Sequence, residues 1–403
     1  MNQAMRTNDA LIARGKAAVL GNYRPLPVVI ESGQGAHLQD VEGKRYIDMV
    51  SGIAVCSLGY NHPDLVKAIQ SQSERLLHTS NIFWNEPAVA LAESLVQTSF
   101  ADKAFFCSSG AEANEAMLKL ARRYFHEKGE GRFEFIAMDM GFHGRTMGTI
   151  TCGGQAKYRL GFEPLLPGVR HVPFGDLQAL ESAITERTAG ILLEPIQGEG
   201  GLRLPPPGFF QGIRDLCRKY GCLFLLDEVQ SGIGRTGAMY GYEHEGVAPD
   251  IMTLAKGLGG GLPIGAMLTT DEIGSKLPYG SHGSTFGGNP VSCAAAKVVM
   301  DTVSQPAFLD GVKERGEYLI RRLADMAATY KRICVDVRGR GLWAGLEMSI
   351  DATPIPKTAI TKGLIVNVIG GKTIRLAPPL VITQEELKQG LDLLEQVIRT
   401  FDR

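Results

Sequence analysis

Residues 209–230 read FFQGIRDLCRKYGCLFLLDEVQ, and this stretch decides the fold. Phe209 to Tyr220 carries a helical pattern closed by Gly221, the residue best suited to the left-handed turn that ends a helix. Cys222 to Leu226 follows as a strand that is apolar on both faces, and Asp227 and Glu228 end it. The same kind of unit recurs on either side. Lys103 to Cys107 (KAFFC) reads as a buried strand, then Ser108-Ser-Gly leads into a helix from Ala111 to His126. In that helix Ala113, Met117, Leu120 and Tyr124 fall on one face. Phe135 to Met138, Gly190 to Glu194, Ile251 to Ala255 and Ile264 to Thr269 are further short apolar runs. Strands without a polar face, separated by helices, predict an α/β fold with a largely parallel sheet covered by helices. Ligands in such sheets sit beyond the carboxyl ends of the strands. That rule selects Ser109, Glu194, Asp227 and Lys256, each just past a strand end.

The two ends of the chain read differently. Residues from about 305 to 330 form a charged amphipathic pattern, followed by strands at Ile333 to Val337, Leu342 to Met348 and Ile374 to Leu376, and a final amphipathic helix at Gln384 to Phe401. Ala36 to Met49 predicts a hairpin turning at Glu42-Gly43 and packing with this α+β tail. The expected division is 1–48 as an N-terminal segment of the small domain, 49–300 as the large domain and 301–403 as the small C-terminal domain.

Length and charge narrow the function. A chain of 403 residues buries a sizeable core without disulfides or metal staples. The net charge of −1 supplies neither the basic footprint of a nucleic-acid binder nor a polybasic membrane patch. Glycine makes up 49 of the 403 residues, clustered rather than periodic, which predicts many tight loops. The seven cysteines include no C-x-x-C pair, so reduced thiols and no metal site are expected. Arg6, Asp9, Arg14 and Lys16 interrupt any apolar leader, and the longest uncharged stretch, Leu277 to Ala296, is too polar to span a bilayer. The expectation is a soluble cytoplasmic protein.

Two nucleotide motifs fail. Gly232-Ile-Gly-Arg-Thr-Gly237 matches G-x-G-x-x-G after a strand, but Ala238 to His244 has no helical stripe to receive a pyrophosphate. Gly370-Gly-Lys-Thr373 resembles the end of a phosphate-binding loop, yet Val366 occupies the position of its leading glycine. Three other features point to one cofactor. Ser108-Ser-Gly-Ala-Glu-Ala-Asn114 opens a helix whose free amides and positive dipole end suit a phosphate, although a serine there is also an ordinary N-cap. Leu226-Asp-Glu-Val-Gln230 places two carboxylates on opposite faces of a strand end, so only one can serve a given site; a structural salt bridge is the plain alternative. Lys256 follows an apolar strand and precedes a glycine run, where an amine is either ion-paired or used chemically. Pyridoxal phosphate needs these three things: a phosphate anchor, an acid for its ring nitrogen and a lysine for its aldehyde.

Ser109-Gly-Ala-Glu-Ala-Asn114, Gly141-Phe-His-Gly-Arg-Thr146, Glu194-Pro-Ile-Gln-Gly-Glu-Gly200, Asp227-Glu-Val-Gln230, Lys256 and Gly283-Ser-Thr-Phe-Gly-Gly-Asn-Pro290 together resemble the class III pyridoxal-phosphate aminotransferases, in the family's order and spacing over nearly the whole chain. His78-Thr-Ser-Asn81 and Asn85-Glu-Pro87 resemble its acetylornithine/succinylornithine branch more than its ornithine or 4-aminobutyrate branches. The resemblance implies aminotransferase fold type I, with a large cofactor domain, a small domain built from both chain ends, and a homodimer with shared active sites. It implies that Lys256 holds the cofactor and moves the proton, and that Asp227 pairs with the ring nitrogen. Ser109, Gly110 and Ala111 would bind phosphate together with Thr285 contributed across the dimer. Phe142 would stack on the ring, Val229 would pack its other face and Gln230 would reach its hydroxyl. For the substrates it implies Arg375 at the α-carboxylate, Arg145 at the distal carboxylate, Glu199 as a partner of Arg375, and contacts from Tyr23 and Ser284. The implied reaction joins N-acetylornithine or N-succinylornithine with 2-oxoglutarate to give the semialdehyde and glutamate, in arginine metabolism. An ornithine or 4-aminobutyrate type of ω-aminotransferase is the alternative.

Overall fold

The computed structural model describes residues 6–402. The chain divides into two compact units: residues 64–313, and the residues up to Pro63 together with Glu314 onward. Both boundaries lie later in the chain than the 48/49 and 300/301 expected from the sequence. Residues 49–63 belong with the chain ends because their backbone is bonded there. The Ala377 amide donates to Met49 O at 2.7 Å, the Leu380 amide to Ser57 O at 2.8 Å, and Ser51 Oγ to Ala377 O at 2.7 Å.

The large unit is built on a seven-stranded sheet. In spatial order its strands are Lys103–Cys107, Gly265–Thr269, Ile251–Leu254, Leu223–Asp227, Thr188–Leu193, Glu134–Met138 and Val169–Val172. Neighbours are parallel except around Gly265–Thr269, which runs antiparallel to both strands beside it. The sheet is therefore mostly parallel, as its apolar strands predict, with one reversed strand that the sequence pattern does not distinguish. Alternation along each strand divides the core in two. Leu223, Leu225, Ala189, Leu192, Phe135 and Ala137 pack under the helix Gly110–Glu127 through Ala116, Met117, Leu120 and Ala121. Phe224, Leu226, Ile191, Leu193, Ile136 and Met138 pack on the other face against Phe209, Phe210, Ile213 and Cys217 of the helix Phe209–Tyr220. Each face excludes water from a full set of large side chains, and truncating one, such as Phe224→Ala, costs about 3–5 kcal/mol.

The register fixes which strand ends meet. Phe106 and Leu254 both pair with Ala266, Cys107 pairs with Gly265, and Thr253 pairs with Asp227. The carboxyl ends of Lys103–Cys107, Ile251–Leu254 and Leu223–Asp227 consequently lie along one edge of the sheet. Residues 232–237 form turns that lead into a short 3₁₀ segment, Gly241–Glu245, so no helix follows the glycine motif there.

The other unit holds two four-stranded sheets. In one, Ile30–Gln34, His37–Asp40 and Arg45–Asp48 are antiparallel, the last two forming the expected hairpin, and Leu364–Ile365 pairs parallel with Arg45–Asp48. In the other, Cys334–Gly339, Ala344–Met348, Thr373–Leu376 and Asn367–Ile369 are all antiparallel. Gly370 and Gly371, both with positive φ, turn the last hairpin, which accounts for the glycine-lysine-threonine run without a nucleotide. All seven cysteines are free thiols. Among the described residues no helix is long and apolar enough to cross a membrane.

Candidate active site

The helix Gly110–Glu127 starts at the shared sheet edge. Ser109 is its N-cap: Ser109 Oγ accepts from the Glu112 amide at 3.2 Å, and Glu112 Oε2 accepts from the Ser108 amide at 2.7 Å. This reciprocal cap leaves the amides of Gly110 and Ala111 at the positive end of an 18-residue helix, the arrangement that binds phosphate. Gly110 is required by close approach. A Cβ there would lie 2.8 Å from Val229 Cγ1 and 3.4 Å from the Ala255 side chain. The phosphate turn is thus pressed against the segments that follow Asp227 and precede Lys256.

Asp227 is 3% exposed and both its oxygens are engaged. Oδ2 accepts from Asn114 Nδ2 at 2.7 Å and lies 2.8 Å from His143 Nδ1; Oδ1 accepts from the Val229 amide at 3.0 Å. Asn114 also donates to His143 O at 2.8 Å and accepts from Thr253 Oγ1 at 2.7 Å. The carboxylate is oriented by groups from four separate segments. Burial opposes a charge on His143, but the hydrogen bond and charge of Asp227, aided by Glu194, hold its pKa above the ordinary histidine value. Glu228 points to the opposite face, as strand alternation requires. Its carboxylate accepts from Ser231 Oγ at 2.6 Å and from the amides of Gly241 and Tyr242 at 2.9 and 2.7 Å, and burial pushes its pKa up to about 7.

Lys256 stands at the start of the 3₁₀ turn Lys256–Gly259, with φ of 38°. A non-glycine residue in the left-handed region costs about 1–3 kcal/mol and persists where surrounding structure holds it. The loop Gly141 to Thr146 approaches from the neighbouring strand end. Gly144, with φ of 137°, lies so close to Ala111 that a Cβ would meet the Ala111 side chain at 2.8 Å. Phe142 is held by its amide, which donates to Glu194 Oε1 at 3.0 Å. Arg145 is exposed, its guanidinium 3.8 Å from the centre of the Tyr158 ring and 5.5 Å from that of Phe142. Glu199 is half-buried, and its carbonyl accepts from Gln155 Nε2 at 3.3 Å. Ser284 O accepts from Asn81 Nδ2 at 3.0 Å, and Thr285 next to it is exposed. Gln230 is buried beside this edge.

Tyr23 and Arg375 belong to the other unit. Arg375 is 2% exposed on the strand Thr373–Leu376, with Nε donating to Asn367 Oδ1 at 3.2 Å, whereas Tyr23 is 79% exposed. Sequence reasoning gave no role to Asn114, His143 or Thr253. Asn114 carried a signal, since it is a polar residue next to Ala113 on the apolar face of a helix. His143 lay within a quoted motif, but only the fold brings it to Asp227.

A helix terminus, a buried carboxylate and a lysine at three strand ends on one edge of the sheet fit pyridoxal phosphate, and the Gly110 and Gly144 contacts show that the cradle admits no larger side chains at those points. The chain matches the aminotransferase class-III family over residues 19–398. It is 48% identical over 383 residues to an acetylornithine aminotransferase of Myxococcus xanthus, covering 94% of this chain and 96% of that protein. It is 45% identical over 390 residues to one from Caldanaerobacter subterraneus subsp. tengcongensis, covering 96% and 99%. Among solved structures it is similar to the ornithine aminotransferase from Toxoplasma gondii ME49, with TM-score 0.94 and 31% identity over 98% of this chain and 96% of that one. The N-acetylornithine aminotransferase from Stenotrophomonas maltophilia K279a gives TM-score 0.84 and 36% identity, over 97% and 99%. The protein defined by this fold and site belongs to the class III aminotransferases. It is an enzyme of the aminotransferase class, and its cofactor is pyridoxal phosphate.

Proposed function

We propose that this enzyme moves the terminal amino group of an Nα-acylated ornithine, acetylated or succinylated, to 2-oxoglutarate, giving the semialdehyde and glutamate. The observation that carries the substrate is the 44–48% identity to relatives named acetylornithine aminotransferase over nearly the whole chain. When bound, the cofactor supplies the electron sink for the bond-breaking step. Lys256 Nζ holds the cofactor and carries the proton between the substrate carbon and the cofactor. Asp227, oriented by His143 and Asn114, would pair with the ring nitrogen and favour its protonated form. Ser109, Gly110 and Ala111 take the phosphate. Phe142 and Val229 hold the ring between them, and Gln230 meets its hydroxyl.

On the substrate side we assign Arg375 to the α-carboxylate of 2-oxoglutarate and Arg145 to the distal carboxylate, because a guanidinium reads carboxylates through two parallel hydrogen bonds. Glu199, Tyr23 and Ser284 complete the proposed set. The working form is a homodimer in the cytoplasm with Thr285 reaching the phosphate of the partner. Support for the dimer comes from the large apolar side chains left exposed around this segment, Leu77, Ile82, Phe83, Trp84 and Phe286. The domains that carry these roles are the two units described above. A second activity, on succinyldiaminopimelate, is favoured by the 46% identity to a relative from Photorhabdus laumondii named acetylornithine/succinyldiaminopimelate aminotransferase.

The test is a panel of amine donors with 2-oxoglutarate, scored by glutamate formation. kcat/KM at least about tenfold higher for acetylornithine than for ornithine or 4-aminobutyrate supports the reading, and the reverse order replaces it with the ω-aminotransferase alternative. Borohydride treatment followed by peptide mass mapping tests Lys256 independently. Cofactor fixed elsewhere would remove its assigned role.

A further inference from the structure

Glu194 closes the strand Thr188–Leu193 and is 6% exposed. Its two oxygens serve two different loops. Oε1 accepts from the Phe142 amide at 3.0 Å, and Oε2 accepts from the Gly198 amide at 3.1 Å, next to Glu199. One carboxylate therefore ties the ring-stacking loop to the loop of a proposed substrate residue. The same side chain also faces the histidine that holds Asp227. A Cβ on Gly141 would lie 3.2 Å from His143 Nε2 and 3.8 Å from Glu194 Oε1, so both atoms border one small space that a glycine keeps open. His143 Nε2 is buried and has no hydrogen-bond partner among the described residues. The titratable groups facing the imidazole are Asp227 at Nδ1, Glu194 on the Nε2 side and, more distantly, His171.

We propose that Glu194 is a positioning residue that acts on Asp227 through His143: its negative charge favours a doubly protonated imidazole, and the imidazolium sets a positive charge and an Nδ1–H donor against Asp227. A neutral imidazole donating from Nδ1 would leave a bare, buried Nε2 across a small space from a carboxylate, its lone pair repelled by that charge. A protonated Nε2 turns that repulsion into attraction. Burial, with Asp227 adding to it, pushes the Glu194 carboxyl up to about 7 against the pull of the positive His143 and of the Phe142 and Gly198 amides. As the pH rises above about 7 Glu194 ionises, and the imidazolium then stands between two carboxyl groups, from the strand end Leu193 to the strand end Asp227. This inference rests on the proposed function only in placing Asp227 at the cofactor.

The test follows the ring nitrogens of His143 by ¹⁵N NMR in holoenzyme labelled at histidine, with assignment by a His143→Asn variant. In the wild type both nitrogens should remain protonated through pH 8. In Glu194→Gln, Nε2 should lose its proton at a pH lower by about one unit, a tenfold change in acidity, while Glu194→Asp, which keeps the charge, should stay close to wild type. A second readout is the pH at which the visible absorbance of the bound cofactor changes, expected to move in Gln and not in Asp. Identical titration of His143 in wild type and Glu194→Gln overturns the proposal. Should the Gln variant not fold, a bare Nε2 in the wild type between pH 6 and 8 overturns it equally. An enzyme that forms no glutamate from 2-oxoglutarate would end the functional reading instead, and leaves the histidine titration standing as measured.

Discussion

Val229 closes over Gly110 so tightly that the smallest side chain added to Gly110 would lie 2.8 Å from Val229 Cγ1 and 2.9 Å from Cγ2. The phosphate turn and the segment beyond Asp227 are thereby held at a separation set by one hydrogen atom. Gly110→Ala should weaken cofactor binding about ten- to a hundredfold, since overpacking of this kind costs about 1–3 kcal/mol. Fluorescence titration of the apoenzyme with cofactor measures it. Adding Val229→Ala to the same chain should restore most of the affinity. A double variant as weak as the single one would show that the defect lies in the helix start and not in the contact.

Asp227→Ala should lower kcat by roughly a thousandfold or more, about 4 kcal/mol of barrier, if Asp227 holds the proposed role of keeping the ring nitrogen protonated. The fold should survive, since Asn114 keeps its bonds to His143 O and Thr253. Near-wild-type kcat with intact circular dichroism would mean that another group supplies the proton.

Mixing subunits tests the shared site. Lys256→Ala and Thr285→Ala chains are each impaired alone, but a dimer made of one of each has one site with both residues native if Thr285 serves the opposite subunit. Activity above either parent, after exchange confirmed by native mass spectrometry, is the expected result. No recovery places Thr285 in its own subunit's site.

Glu228 makes stability depend on pH. Its folded-state pKa, about 7, lies above the ordinary carboxyl value of 4.5, so the folded chain holds a proton that the unfolded chain releases. The associated stability is present below about pH 4.5 and is lost as the pH rises through 7. Glu228→Gln cannot ionise. The stability advantage of wild type over this variant, measured by urea unfolding, should shrink by roughly 1.4 kcal/mol per pH unit between pH 5 and 7 and then level off. A gap that stays constant over that range would show that the carboxylate is ionised in the fold throughout.

The sheet was legible wherever a strand is apolar on both faces, because the two cores on either side of Leu223–Asp227 demand it. The reversed strand Gly265–Thr269 looks the same in sequence, since burial does not record direction. Val169–Val172 went unread because a four-residue edge strand containing Arg170 and His171 carries no such run. Lys256, Asp227 and the Ser109 turn were legible as positions just past strand ends. Asn114 and His143 were not, because their function is a relationship to Asp227 that exists only after the sheet forms. The domain boundaries were misplaced because residues 49–63 have little periodicity, and their allegiance is decided by backbone bonds to Ala377 and Leu380.

That antiparallel strand has a consequence for how the enzyme matures. Ile251–Leu254 and Gly265–Thr269 form a hairpin with Lys256 in its connecting segment, so the lysine's immediate setting can arise from contacts local in sequence. The setting of Asp227 cannot: its partners Asn114 and His143 are 113 and 84 residues away. Contacts of that range form late, after the entropy of closing long loops has been overcome. By that logic a folding chain should complete the setting of Lys256 before that of Asp227, and tight cofactor binding should wait for the central strands to assemble. Loading with cofactor then acts as a seal on completed folding, stabilising only the chains whose sheet has closed in the right order.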